Sequence, residues 1–179
     1  MKKIILLFIS TLVFSAAPDA QDAETKLKEK GIVLIPPSSP VANYVNAVRV
    51  GNLLYLAGKG PLKEDNTYIT GKVGKDLTLE QGYEAASITA ISHLAVLKTE
   101  LGSLNKVKRI IKVLGMVNCT EDFKDQPKVI NGYSDLMVEI FGDNGKHARS
   151  AVGMYALPFN MAVEIEVIVE IKDWSFRRQ

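Results

Sequence analysis

The segment from Thr78 to Gly102 limits the possible folds more than any other part of the chain. Thr78 followed three residues later by Gln81 is the pattern of a capping box, in which side chains and backbone N–H groups satisfy each other at a helix start. Tyr83, Ala86, Ala90, Leu94, Leu97 and Leu101 then recur at the spacing of one helical face, and Gly102 with Leu104 behind it fits a C-terminal cap. A helix with one apolar face must lay that face on another layer. The flanking segments supply it. Upstream, NAVRVGNLLYLAG reads as two strands around a Gly51-Asn52 turn, with a polar excursion behind it that holds a short strand at Tyr68 to Thr70. Downstream, KVKRIIKVLGMVNCT reads as a long strand. Asp125 to Phe141 forms a second helix that tolerates Pro127 in its first turn and stops at Gly142. His147 to Ile171 closes the chain as a hairpin. The order β-β-α-β-α-β-β implies one sheet with two helices on one face, an α+β architecture.

The remaining sequence is N-terminal. Lys2 and Lys3 precede an apolar run from Ile4 to Val13, and small residues follow at Ser15 to Ala17. This is the layout of a secretory signal peptide over residues 1–20, cut near Ala17 or Ala20. The apolar run is shorter than the roughly 20 residues a membrane span requires. An exported protein, periplasmic or secreted and with no membrane attachment after cleavage, is the expectation. Residues 21–43 read as a lead-in, a short polar helix followed by the proline-stiffened connector IPPSSP, and the domain proper occupies 44–179.

A net charge of +2 with no basic run leaves no electrostatic footprint for nucleic acid. Cys119 is the single cysteine, so no internal disulfide can form, and its apolar neighbours mark it as a small buried hydrophobe. His93 and His147 are too few and too far apart in sequence for a metal site. His93 lies beside the apolar stripe and reads as a core histidine.

The closing stretch, HARSAVGMYALPFNMAVEIEVIVEI, contains the unusual charges. If Leu157 opposes Ala162 in a hairpin, then Ala156 meets Val163, Met154 meets Ile165 and Val152 meets Val167, all apolar. The opposite face then carries Arg149, Ala151, Gly153 and Tyr155 beside Glu164, Glu166, Ile168 and Glu170. Two readings are open. In one, Arg149 stands across from Glu170 as a structural ion pair. Alternatively, Ala151 and Gly153 leave a hollow beside Arg149 that suits a small anionic ligand. Glu164 falls about 20 Å from Arg149 along such a hairpin, so the two meet only across a subunit boundary.

With these residues in view, the chain resembles the RidA (YjgF) family of reactive-intermediate deaminases, also called endoribonuclease L-PSP-like. The resemblance rests on ARSAVGMYALPFNMAVEIEVIVE, on ANYVNAVRVGNLLYLAGKGP and on LGSLNKVKRIIKVLGMVN, and it covers about Gly31 to Lys172. NGYSDLMVEIFGDNGKHARSAVG is similar to a less-studied branch. The resemblance implies a chorismate-mutase-like sheet with two helices on one face, joined by three copies into a barrel-like homotrimer with clefts at the subunit boundaries. It implies that Arg149 forks onto the carboxylate of a 2-imino acid and that Glu164 positions a water for attack on the C=N carbon. Tyr44, the backbone of Gly58 and the backbone of Ala151 would line the pocket. The implied reaction turns an imine or enamine into a 2-keto acid and ammonia, with neither metal nor cofactor. A non-catalytic module that binds a small carboxylate in the same cleft is the alternative, and endoribonuclease activity ranks last for want of a histidine pair. Departures from the family pattern are Ala57 in place of the usual serine, Ala151 where cysteine is frequent and Lys59 where glutamine is common. Asn131 matches the asparagine of the second helix only with a one-residue shift.

Overall fold

The computed structural model describes residues 22–37 and 42–172. The expected signal segment lies outside the described residues. Strands β1 (Ala47–Val50), β2 (Leu53–Lys59), β3 (Val107–Asn118), β4 (Ala148–Met154) and β5 (Val163–Ile171) form one sheet in the order β1-β2-β5-β3-β4. Helices α1 (Ala23–Glu29), α2 (Leu79–Leu101) and α3 (Gln126–Phe141) accompany it. In place of the expected short strand, Tyr68 and Thr70 make isolated bridges, to Leu62 and to Met161.

Local signals account for the helices. The Thr78 side chain accepts from Gln81 N, the Gln81 side chain accepts from Thr78 N, and Gly102 ends α2 at a φ of 72° that only glycine adopts freely. Ala86, Ala90, Leu94 and Leu97 are fully buried along α2. Tyr83, expected on that stripe, lies at its edge instead, where its hydroxyl donates to Asp135 of α3. Gly132 permits the close α2–α3 crossing, since a Cβ there would meet the Tyr83 carbonyl oxygen at 2.0 Å. The lead-in is anchored as well. Glu24 of α1 accepts from Lys98 Nζ, Ser103 Oγ and Leu104 N, and Ala23 and Leu27 enter the core.

The closing segment departs from expectation. β4 and β5 do not pair. β3 lies between them, parallel to β4 and antiparallel to β5. Residues 155–162 carry the chain over the end of β3, where Asn118 N donates to Ala162 O and Asn118 Nδ2 donates to Asn160 Oδ1. Strand alternation records which face a side chain takes and says nothing of which strand is its neighbour. The twelve-residue β3 has backbone groups free on both edges, and α3 supplies the long crossover a parallel pair requires.

The faces change accordingly. Val113, Gly115 and Val117 of β3 look toward the helices, and their β4 partners Arg149, Ala151 and Gly153 share that side. Val152, placed on the core side by the hairpin register, is instead exposed. Glu170 meets Lys108 at 2.8 Å and Arg109 at 2.6 Å, so the proposed partnership with Arg149 does not exist. The small residues leave no hollow either. Cβ atoms at Gly115 and Gly153 would collide with Ile130 and with Gln126 and Cys119, so glycine here lets α3 sit close to the sheet.

The sheet face away from the helices is uncovered. Val48, Val50, Tyr55 and Val152 are exposed there, beside Lys112, Leu114, Met116, Glu164 and Glu166.

Candidate functional site

Two groups of polar residues stand on opposite sides of the sheet. The first surrounds Arg149, half-buried on the edge strand β4. Its Nη1 donates to Asn131 Oδ1 and to Ser134 Oγ, both at 2.9 Å. The two acceptors are one helical turn apart on α3, at i and i+3. Both are neutral, so the guanidinium is held in place without being neutralised. Both Nη1 hydrogens are used, and among the described residues the Nε and Nη2 edge of the guanidinium has no partner, which leaves it as a fork.

His147 stands behind this group. Its Nδ1 is 2.7 Å from the Gly145 carbonyl, which can only accept, so Nδ1 carries the proton. Nε2 then accepts from the Ser134 hydroxyl at 3.1 Å, and Ser134 in turn accepts from Arg149. Burial, with the positive charges of Arg149 and Lys112, depresses the His147 pKa and keeps the ring neutral.

The second group surrounds Glu164 on β5. The β2–β5 register slips between Leu56 and Lys59, and the irregular stretch brings Gly58 against the glutamate. A Cβ at Gly58 would lie 2.4 Å from Glu164 Oε1, so only glycine fits beside that carboxylate in its present position. Burial and the neighbouring Glu166 raise the Glu164 pKa above the ordinary carboxylate value.

A histidine supports this group too. His93 Nε2 donates to the carbonyl of Ala57, at 3.2 Å, and its Nδ1 accepts from Tyr133 OH at 3.1 Å. Complete burial lowers the His93 pKa to about 4. The Tyr133 ring makes edge contacts with both imidazoles, centroids 5.7 Å from His93 and 6.5 Å from His147. One tyrosine of α3 thus joins the two supports.

Within one copy the expected site residues therefore divide. Gly58 and Glu164 come together on the open face, while Arg149 and Ala151 share the helix side of β4. Tyr44 is 54% exposed in the segment before β1 and touches neither group closely enough to hydrogen-bond. Lys59, whose partner in the register is the buried Ile165, turns toward the helix layer and away from Glu164. Asn131 is the arginine's direct partner despite its shifted spacing. Ser134 was missed, although two neutral polar residues at i and i+3 bordering a buried stripe are a readable signal. Among the described residues no group of three His, Cys, Asp or Glu is placed to hold a metal ion, and no helix is long and apolar enough to cross a membrane.

Residues 24–171 match the family described as "YjgF/chorismate_mutase-like, putative endoribonuclease". The chain belongs to this family. The YjgF/RidA assignment takes in the lead-in helix as well as the sheet, and the fold is the chorismate-mutase-like α+β arrangement expected of it. A crystal structure of a protein of unknown function from Agrobacterium tumefaciens superposes with a TM-score of 0.78 at 42% identity, covering 86% of this chain and 96% of that one. Protein TCP17 of Trypanosoma cruzi is 38% identical over 148 residues, 82% of this chain and 92% of that protein. A YjgF/RidA relative from Dermatophagoides farinae, named 2-iminobutanoate/2-iminopropanoate deaminase, is 30% identical over 148 residues, 82% of this chain and the whole of that protein.

Proposed function

We propose that the protein hydrolyses small 2-imino acids to 2-keto acids and ammonia in a cleft between subunits of a homotrimer. The observation that carries this reading is the state of Arg149, a half-buried guanidinium gripped by two neutral acceptors through one nitrogen and left with a forked edge for a carboxylate. Glu164 supplies the second half. A carboxylate whose pKa is raised by burial is a stronger base toward water than an exposed one. The named reaction of the Dermatophagoides farinae relative is of the same class.

The steps balance without a redox partner. Glu164 takes a proton from a water whose oxygen bonds to the C=N carbon and passes that proton to the nitrogen. Glu164, again a carboxylate, takes the hydroxyl proton of the resulting carbinolamine and passes it to the departing nitrogen, so that ammonia leaves as the C–N bond breaks. The carbonyl of the 2-keto acid remains. Arg149 holds the substrate carboxylate throughout, while Tyr44 and the backbones of Gly58 and Ala151 line the cleft.

Because Arg149 and Glu164 lie on opposite faces of one sheet, this chemistry needs Glu164 from one copy beside Arg149 of another. The uncovered apolar face, with Val48, Tyr55 and Val152, favours self-association. We also propose that residues 1–20 direct export and are removed, a reading supported by the basic, apolar and small-residue zones of that segment.

The test is keto-acid release from 2-iminopropanoate or 2-iminobutanoate generated in situ, with light scattering to count the copies. Wild type should exceed the buffer rate and Arg149→Ala should not. A wild type at the buffer rate that still gains thermal stability with small carboxylates would replace catalysis by binding, and a stable monomer would remove the cleft altogether.

A further inference from the structure

A cavity lies on the helix side of the sheet. It encloses about 680 Å³ between the lead-in segment at residues 31–37, the loop at residues 60–68 and one face of α2. Ile32, Ile35, Leu62, Ile88 and Ile91 give it apolar walls. Its volume falls within the range of small-molecule sites, roughly 300–1,000 Å³.

Lys59 is the charged residue of its inner wall. The side chain is half-buried, its Nζ donates to Asn46 Oδ1 at 2.5 Å, and it makes no ion pair among the described residues. Other charges lie at the exposed rim: Lys63 is tied to Asp65 at 3.1 Å, and Glu64 is exposed. His93, packed beneath, is neutral. A cation partly removed from water with only a neutral amide for company gains from an incoming anion. Burial lowers the Lys59 pKa, in keeping with a charge that lacks compensation.

We propose that this cavity binds a small monocarboxylate with an apolar tail, its carboxylate on Lys59 Nζ and its tail along Ile88 and Ile91 of α2. The site is separate from the proposed cleft. Lys59 faces the helix layer, whereas Gly58 faces Glu164 on the open side. One irregular stretch of β2 therefore borders this cavity on one face and the proposed cleft on the other.

The probes are 4-phenylbutanoate, hexanoate and dodecanoate, titrated calorimetrically into the full-length protein. Phenylbutanoate should bind at sub-millimolar concentration, and 4-phenylbutanamide at least tenfold more weakly. Lys59→Met should weaken phenylbutanoate at least tenfold while Arg149→Ala leaves it unchanged. Ile91→Trp, which fills the cavity and keeps the lysine, should also abolish binding, with the melting temperature of each unliganded variant confirming its fold. Tighter binding of dodecanoate than of hexanoate would extend the ligand class to fatty acids. No binding at millimolar concentration, equal affinity for acid and amide, or loss with Arg149→Ala but not with Lys59→Met overturns the proposal. None of these outcomes depends on imine hydrolysis.

Discussion

Arg149 directs both hydrogens of one nitrogen onto Asn131 and Ser134, whereas the carboxylate of Glu164 has no hydrogen-bond donor among the described residues. Both charges are half-buried, and they receive opposite treatment. Neutral acceptors fix the arginine in space and leave its charge intact, which suits a group that must grip an anion. The glutamate is desolvated beside a second carboxylate, which raises its proton affinity and suits a group that must take a proton from water. Each half rests on a neutral histidine, and Tyr133 contacts both rings. Position is supplied on one side and basicity on the other.

The sharpest way to break this comparison is to remove the gripping charge. Arg149→Ala should lower kcat/KM for 2-iminopropanoate by on the order of 10³, because truncating one partner of a hydrogen-bonded charge pair typically costs about 2–5 kcal/mol. Arg149→Lys should recover little of this, since a point charge cannot fork onto a carboxylate. Steady-state keto-acid release measures both.

Acid should strike the glutamate half through its support. The folded pKa of His93 is depressed to about 4 from 6.5, so the unfolded chain binds the proton more readily and the neutral ring contributes stability above pH 6.5. That contribution declines as pH falls from 6.5 toward 4 and amounts to about 3 kcal/mol, at about 1.4 kcal/mol per pKa unit. His147 is depressed in the same direction and adds to the loss. Urea unfolding across this window, compared with His93→Gln, measures the effect. A wild-type profile as flat as that of the variant would show that the ring is not the source.

Gly58→Ala tests the glutamate directly. The added methyl would meet Glu164 Oε1, the far end of a flexible side chain, which can swing aside at little cost to the fold. Hydrolysis should fall about tenfold, or about 1.4 kcal/mol, with a nearly unchanged melting temperature. An equal loss of stability would make Gly58 a packing residue instead.

The helices were legible because their signals are local. Thr78 with Gln81, Gly102 and Gly142 are read from neighbours a few residues away, and each cap occurs where the pattern places it. The neighbours of β4 were not legible. Val152, Met154 and Ala156 alternate just as a hairpin partner of β5 would, and only the length of β3 and the packing of Gly115 and Gly153 on α3 decide that β3 comes between. For the same reason Arg149 was assigned to the wrong face. Glu164 and Gly58 were named from a family resemblance, and their proximity in space follows from a strand irregularity that no spacing along the chain records.

Ser134→Ala makes the finest cut, because it keeps Arg149 and removes one of its two holders. The lost hydrogen bond involves a charged donor but is partly exposed, so an effect of about 1 kcal/mol is expected, or about fivefold. The loss should appear in KM and leave kcat alone, because Ser134 acts on how the carboxylate is held and equally so in ground and transition states. Ser134→Thr, which restores a hydroxyl at the same place, should recover wild-type KM. A fall in kcat would instead mean that the tilt of the guanidinium sets the angle at which the C=N carbon meets the water. The positioning done by α3 would then belong to the chemical step, and the division between a holding half and a basic half would fail at Ser134.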